Sequence, residues 1–315
     1  MSNNSYCLIS PCRDEAQFME RTLISVTQQT LKPALWVIVD DGSKDETPEL
    51  LARYAAEHDF IRVIRCDDRG RRSVGPGVIE AFYRGYATID PKQFGYICKL
   101  DMDLDLPASY FEILVQRMTD DPRLGTCSGK PYFHHPRTGE LVSERCGDET
   151  SIGASKFYRR ECFEQIGGLA REVMWDGIDC HRCRMLGWKA RSWDEANLRF
   201  IHLRPMGSSQ GSIFQGRMRH GRGQYFMGTS PIYMAANMMS RMLHPPIIAG
   251  GFCMGLGYLV AALQRKPRYG DAAFRRFLRQ YQWACLTRGK RRATEMFEQT
   301  YQQHWQPPDS SMVPA

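Results

Sequence analysis

A chain of 315 residues that is 43% hydrophobic and 24% charged can bury a core of its own, which excludes disordered, collagen-like and disulfide-knot classes. Its net charge of +7 is divided unevenly: residues 1–150 hold 18 Lys/Arg against 24 Asp/Glu, whereas residues 151–315 hold 24 against 11. The halves therefore sum to −6 and +13, a split that predicts two tasks in one chain.

The first residues, MSNNSYCLIS, lack a basic n-region, and several of the 11 cysteines (Cys7, Cys66, Cys98) sit in apolar runs. Both features read as a cytoplasmic chain with reduced thiols. Cys180-His181-Arg182-Cys183 resembles half a zinc site. No second pair follows at zinc-finger spacing, so structural zinc is not expected.

In chain order, Tyr6–Ser10 is a short apolar run followed by a helical stretch, Asp14–Gln29. Ala34–Val39, the turn Asp40-Asp41-Gly42-Ser43 and a helix over 46–58 come next. Ile61–Cys66, a Gly/Pro loop and a helix over 78–88 repeat the pattern. Tyr96–Leu100 ends in Asp101-Met102-Asp103-Leu104-Asp105 before a helix opening at Pro107. Short β-rich runs alternating with amphipathic helices predict βαβ units and a mostly parallel sheet, whose ligands bind beyond the carboxyl ends of the strands. The pattern is mixed over 125–204, with a helix over Asp176–Leu186 and strand-like stretches at Lys189–Trp193 and Leu198–His202. A Gly/Ser/Arg-rich span, 205–228, follows. Pro245–Leu263 is nineteen residues without a charge, flanked by Arg241 and by Arg265, Lys266 and Arg268. Farther on, Phe274, Phe277, Leu278 and Tyr281 form an apolar stripe at helical spacing beside Arg275, Arg276 and Arg279.

Three acidic groups sit where chemistry is expected. Asp101 and Asp103, two apart after a strand, are hard oxygen ligands suited to Mg²⁺ or Mn²⁺. Asp40 and Asp41 follow another strand; part of their role is turn formation and capping, and a carboxylate there can also accept from a ribose hydroxyl or base imide. Asp176 opens a helix, where the macrodipole keeps a carboxylate ionised and available as a general base.

Taken in order, Ser10-Pro11-Cys12-Arg13-Asp14-Glu15, Val39-Asp40-Asp41-Gly42-Ser43-Lys44-Asp45, Lys99-Leu100-Asp101-Met102-Asp103, Gly167-Gly168, and Trp175-Asp176 with Arg182 and Gly187-Trp188 resemble the family 2 glycosyltransferases of the GT-A fold. The resemblance runs over residues 5–205. It implies a Rossmann-like, mostly parallel sheet flanked by helices (1–205), to which the chain adds a Gly/Arg-rich acceptor-side segment (206–244), an apolar membrane-associated or buried helix (245–263) and a basic amphipathic tail (264–315). It also implies an inverting, metal-dependent transfer from a nucleotide sugar, with a UDP-sugar expected, to a saccharide or lipid-linked acceptor. Pro11, Arg13, Glu15, Asp40 and Asp41 would hold the nucleotide, and Asp101 and Asp103 the metal, with His202 a further metal or phosphate contact. Arg72 and Lys99, with Arg69 and Arg71, are candidates for the phosphates. The family's Glu-Asp pair matches Trp175-Asp176, so its Glu is replaced by Trp. Asp176 then carries the base role alone, with Asp179 as the fallback.

Other classes fit less well. A nucleotidyltransferase or a dinucleotide-dependent oxidoreductase opens with a Gly-rich phosphate loop after its first strand, and here that position reads Pro-Cys-Arg-Asp-Glu-Ala. The basic back half suggests nucleic-acid binding, but the acidic cleft would repel a polyanion. The apolar run with its basic flanks instead predicts a peripheral or monotopic enzyme on the cytoplasmic face of the inner membrane, held by anionic lipid.

Overall fold

The computed structural model describes residues 4–68, 70, 75–135, 137–204, 213–243 and 246–307. Its first half alternates β1 (Tyr6–Cys12), α1 (Ala16–Thr27), β2 (Leu35–Asp40), α2 (Thr47–Glu57), β3 (Ile61–Arg65), α3 (Pro76–Tyr86) and β4 (Tyr96–Leu100). A short β5 (Leu104–Asp105), α4 (Tyr110–Asp120), β6 (Leu124–Ser128), β7 (Lys130–His134), β8 (Leu141–Ser143) and β9 (Ser155–Arg159) follow. Then come α5 (Arg160–Gln165), α6 (Trp175–Met185), β10 (Lys189–Ser192) and β11 (Arg199–His202).

Seven strands form the central sheet in the order β10-β6-β9-β4-β1-β2-β3, parallel except for β9, which runs against both neighbours. Side chains alternate between its faces with the two-residue period of a strand. Leu8, Trp36, Ile38 and Cys98 pack on one side under α1, α2 and α4, whereas Cys7, Ile9, Val37, Val39 and Ile97 pack on the other under α3, α5 and α6. Because both faces are buried, these strands read as continuous apolar runs. A smaller sheet, β5-β11-β7-β8, brings the end of β11 beside the acidic turn after β4.

The back half is helical: α7 (Ile213–Met227), α8 (Pro231–Met242), α9 (Ala249–Leu263), α10 (Ala272–Arg288) and α11 (Lys290–Thr300). Helices α7 and α9 cross at glycines. A Cβ on Gly221 would come 1.9 Å from the Met254 carbonyl oxygen, and one on Gly257 would come 2.1 Å from that of Met218. The glycines of the apolar run thus serve close helix packing, while Phe252, Leu256, Leu259 and Leu263, spaced 4, 3 and 4 apart, stay exposed. The stripe Phe274, Phe277, Leu278 and Tyr281 does not face outward as the membrane-surface reading expects. It is buried against Ile178 and Met185 of α6 and against Ala293 and Phe297 of α11. The expected basic tail is therefore docked on the sheet domain. Glu298 pairs with Arg191 of β10 (2.6 Å), and Trp305 packs edge-on to Trp188 (5.9 Å).

Candidate active site

A cavity of about 540 Å³ opens at the carboxyl edge of the parallel strands. Its walls come from segments distant in sequence: Pro11, Arg13 and Glu15 from β1 and just beyond, Asp41 after β2, and Lys99, Asp101 and Asp103 around the end of β4. Trp175 and Asp176 enter from α6, His202 and Arg204 from β11 and just beyond, and Arg219 and His220 from α7.

On the side of β1 and β2, Arg13 is nearly buried. Its Nη1 donates to the Asp41 carbonyl at 3.0 Å and its Nη2 pairs with Asp68 Oδ1 at 2.5 Å. Asp68 also meets Lys44 at 2.8 Å and accepts from Gly70 N at 2.7 Å. Lys44 first, then that amide and Arg13, hold its carboxyl well below the usual carboxylate range. Gly42, at φ +78°, packs so tightly that a Cβ would lie 2.5 Å from Asp68 Cα, so this turn requires glycine. Asp40 does not meet the nucleotide-binding expectation. It is only 1% exposed, does not line the cavity, and accepts from Ser43 N at 2.9 Å, so its carboxylate braces the turn that presents Asp41.

At the end of β4, Lys99 ion-pairs with Asp101 and donates to the Gly153 carbonyl at 3.0 Å. Burial, reinforced by Asp103, raises the Asp101 carboxyl above its ordinary value despite Lys99. Arg204 bridges two acids, with Nε to Asp103 Oδ2 at 2.6 Å and Nη2 to Glu15 Oε1 at 2.6 Å. His202 Nδ1 lies 2.6 Å from Glu144 Oε2. Burial alone would lower this imidazole, but the carboxylates of Glu144, Asp103 and Asp101 outweigh it and raise its pKa.

Among the described residues no three His, Cys, Asp or Glu side chains form a metal-holding group by themselves. The donor chemistry suits a shared site instead. Two carboxylates and an imidazole border one cavity, and each carboxylate is neutralised by a cation, Lys99 or Arg204. Mg²⁺ and Mn²⁺ commonly take one or two protein carboxylates and complete their shell with phosphate oxygens and water.

Across the cavity, Asp176 sits half-buried in the first turn of α6. Gly153 lets the neighbouring loop approach it, since a Cβ there would fall 3.1 Å from Asp176 Oδ2. Trp175 faces two cations, Lys99 and Lys156, whose Nζ atoms lie 5.3 and 5.4 Å from its ring centroid. Asp179 is a correction to the sequence reading. It is 1% exposed, pairs with Lys156 at 2.6 Å, accepts from the Tyr158 hydroxyl and lies outside the cavity lining. A carboxylate sealed in the core this way cannot reach an acceptor.

Of the remaining candidates, Pro11 lines the cavity, and Arg72, with Arg69 and Arg71, lies outside the described residues. Cys180 contacts Lys156 (3.4 Å) and Cys183 contacts Cys162 (3.4 Å). All 11 cysteines are free thiols. Sequence reasoning missed Glu144, Arg219 and His220, and gave Arg204 no role. Arg204 had a signal, since it stands two residues after His202 and so projects to the same side of an extended chain. His220 had none; burial holds its imidazole below the ordinary value although Asp176 opposes this.

The sheet and its flanking helices share the GT-A fold of the solved glycosyltransferases that match the chain. The chain belongs to glycosyl transferase family 2, whose model matches residues 7–168, just over half of it. It is 29% identical over 127 residues to a poly-beta-1,6-N-acetyl-D-glucosamine synthase of Staphylococcus aureus (strain COL), covering 39% of this chain and 28% of that one. The corresponding synthase of Staphylococcus epidermidis is 27% identical over the same length. The chain thus spans little more than a quarter of these relatives. Among solved structures, GalNAc-T7 with UDP, GalNAc and Mn²⁺ matches with a TM-score of 0.60 and 16% identity, over 96% of this chain and 58% of that one. Residues 1–349 of S. aureus TarS, in complex with UDP, match at 0.52 and 12% identity, over 95% and 91%.

Proposed function

We propose that the chain transfers a sugar, with inversion, from a nucleoside-diphosphate sugar, most simply a UDP-sugar, to a hydroxyl of a saccharide or lipid-linked saccharide. The carrying observation is that one cavity joins Arg13 and Asp41, Asp101 and Asp103, and Asp176. Arg13 and Asp41 would orient the nucleotide. Asp101 and Asp103, with His202, would hold a divalent cation, whose chemistry is to stabilise negative charge on the departing diphosphate. Asp176 would take the proton of the acceptor hydroxyl as its oxygen bonds to the anomeric carbon. The bond from that carbon to the diphosphate oxygen then breaks, and its electron pair leaves with the nucleoside diphosphate. Relatives named for poly-N-acetylglucosamine synthesis and neighbours bound to UDP support the donor class.

The test is nucleoside diphosphate release from a panel of nucleotide sugars with Mg²⁺ or Mn²⁺. Asp176→Asn should lower kcat by about 10²–10⁴ with donor affinity retained, the range typical of general-base catalysis. Turnover by this variant near the wild-type rate removes Asp176 from the base role.

For the acceptor side, the reading rests on exposed apolar side chains. Ile232 and Met239 of α8, Leu243 just after it, Ile247 and Ile248 of the connection, and the α9 stripe are all more than a third exposed. Exposed apolar patches of this kind mark interaction sites. Among the described residues no helix is long and apolar enough to cross a membrane, and the 15 residues of α9 span about 22 Å against the roughly 30 Å of a hydrocarbon core. A helix pair lying in a membrane surface accounts for both facts and is consistent with a lipid-linked acceptor.

A further inference from the structure

The C-terminal helices carry a second recess, separate from the acid-lined cavity. Arg268, Arg275, Arg276 and Arg279 surround a space of about 580 Å³ along the first two turns of α10. Among the described residues none of these four guanidiniums forms an ion pair with a carboxylate. Asp271, the single acid between Glu195 and Glu295, caps α10 by accepting from Phe274 N at 2.9 Å. Two of the four arginines are held in position: Arg268 lies over the Tyr225 ring at 4.6 Å, and Arg275 donates to the Tyr269 carbonyl. The helix itself is fixed, because Phe274, Phe277 and Leu278 are buried on its opposite side. Like charges gathered on a rigid frame repel one another, and a bound anion relieves that repulsion.

The recess is joined to the exposed apolar stripe by a short run of chain, which passes from Leu263 at the end of α9, 74% exposed, through Arg265 and Lys266 to Arg268. A molecule that satisfies both surfaces has an anionic head and an apolar body. We propose that the four-arginine recess is a binding site for the phosphate headgroup of an anionic phospholipid, whose acyl chains lie against the α9 stripe. The inference rests on the membrane-surface reading above and deepens it, replacing diffuse basic attraction with one defined headgroup site.

Flotation of the full chain with vesicles tests it, using phosphatidylcholine alone and phosphatidylcholine with about one-third phosphatidylglycerol. Arg276→Ala/Arg279→Ala should lose about tenfold or more in affinity for the anionic vesicles, since each basic residue near such a surface contributes measurably. Arg291→Ala/Arg292→Ala on α11 removes the same charge outside the recess and should lose less than about threefold. Both variants change exposed residues. Each should release nucleoside diphosphate at the wild-type rate, which also confirms folding. If the wild type binds anionic vesicles and the two variants weaken equally, or if it binds both vesicle types equally, the headgroup site is overturned and the membrane reading stands. If the wild type binds neither vesicle, both fall together.

Discussion

Arg204 and Asp179 show how charge is divided between chemistry and architecture around the same cavity. Arg204 is the cation shared by Glu15 and Asp103, both largely buried, so Arg204→Ala leaves two acids without it in a poorly hydrated place. The expected cost is about 2 kcal/mol, below the usual penalty for a fully buried pair because Arg204 is partly exposed. Mn²⁺ should raise the thermal midpoint of this variant more than that of the wild type, because the ion would then supply the missing charge. An equal shift in both proteins places Asp103 outside the metal site. Asp179→Asn should behave oppositely to Asp176→Asn. Removing the charge opposite fully buried Lys156 should destabilise the fold by about 3–5 kcal/mol, seen in denaturant unfolding, while kcat of the folded fraction falls less than about tenfold.

Among the helices, α6 and α10 carry the decisive seam. α6 presents Asp176 to the cavity and Ile178 to α10, so the proposed base is positioned by the same packing that docks the C-terminal helices. His181 lies in this seam, edge-on to Tyr281 at 5.1 Å between ring centroids. Desolvation, then the nearby charges of Arg184, Lys290 and Lys156, hold it well below its ordinary value. A histidine kept neutral in the folded chain but free to protonate when unfolded binds more protons in the unfolded state. Stability is therefore retained above the unfolded value of about 6.5 and is lost as pH falls below it, by about 1 kcal/mol over the first pH unit. Unfolding measured between pH 7.5 and 5.5 (about two units) should show this slope, and His181→Gln should flatten it. A slope unchanged in that variant assigns the acid sensitivity elsewhere.

For the molecule as a whole, the charge division becomes spatial. The acids gather at the strand ends, while four arginines gather along and just before the first turns of α10. Phe252→Ser/Leu259→Ser changes two exposed positions that pack on nothing in the chain's core, so the fold should persist. Partition of this variant to membranes should fall by about tenfold or more, given some 25 cal/mol for each Å² of apolar area no longer buried in lipid. Nucleoside diphosphate release with a water-soluble acceptor should stay within about twofold of wild type, since neither residue lines the cavity. Undiminished membrane partition would mean that the face is covered by something other than lipid.

Local sequence determined the parallel strand succession through β4, the acidic turns and the helix that opens at Trp175. Each depends on periodicity, turn chemistry or charge within a few residues. It also separated the acidic front half from the basic back half. Whether Asp40 or Asp41 faces the cavity, and whether Asp176 or Asp179 does, was decided only by tertiary structure. Neighbouring carboxylates are chemically alike until burial and a partner such as Ser43 N or Lys156 distinguishes them. The stripe of α10 and the stripe of α9 likewise look equivalent as patterns. The first is covered because α6 and α11 present matching apolar surfaces, and the second is left open because α9 turns its glycines toward α7 and α8. Periodicity specifies that a face is apolar, but only the arrangement of the other elements specifies what covers it.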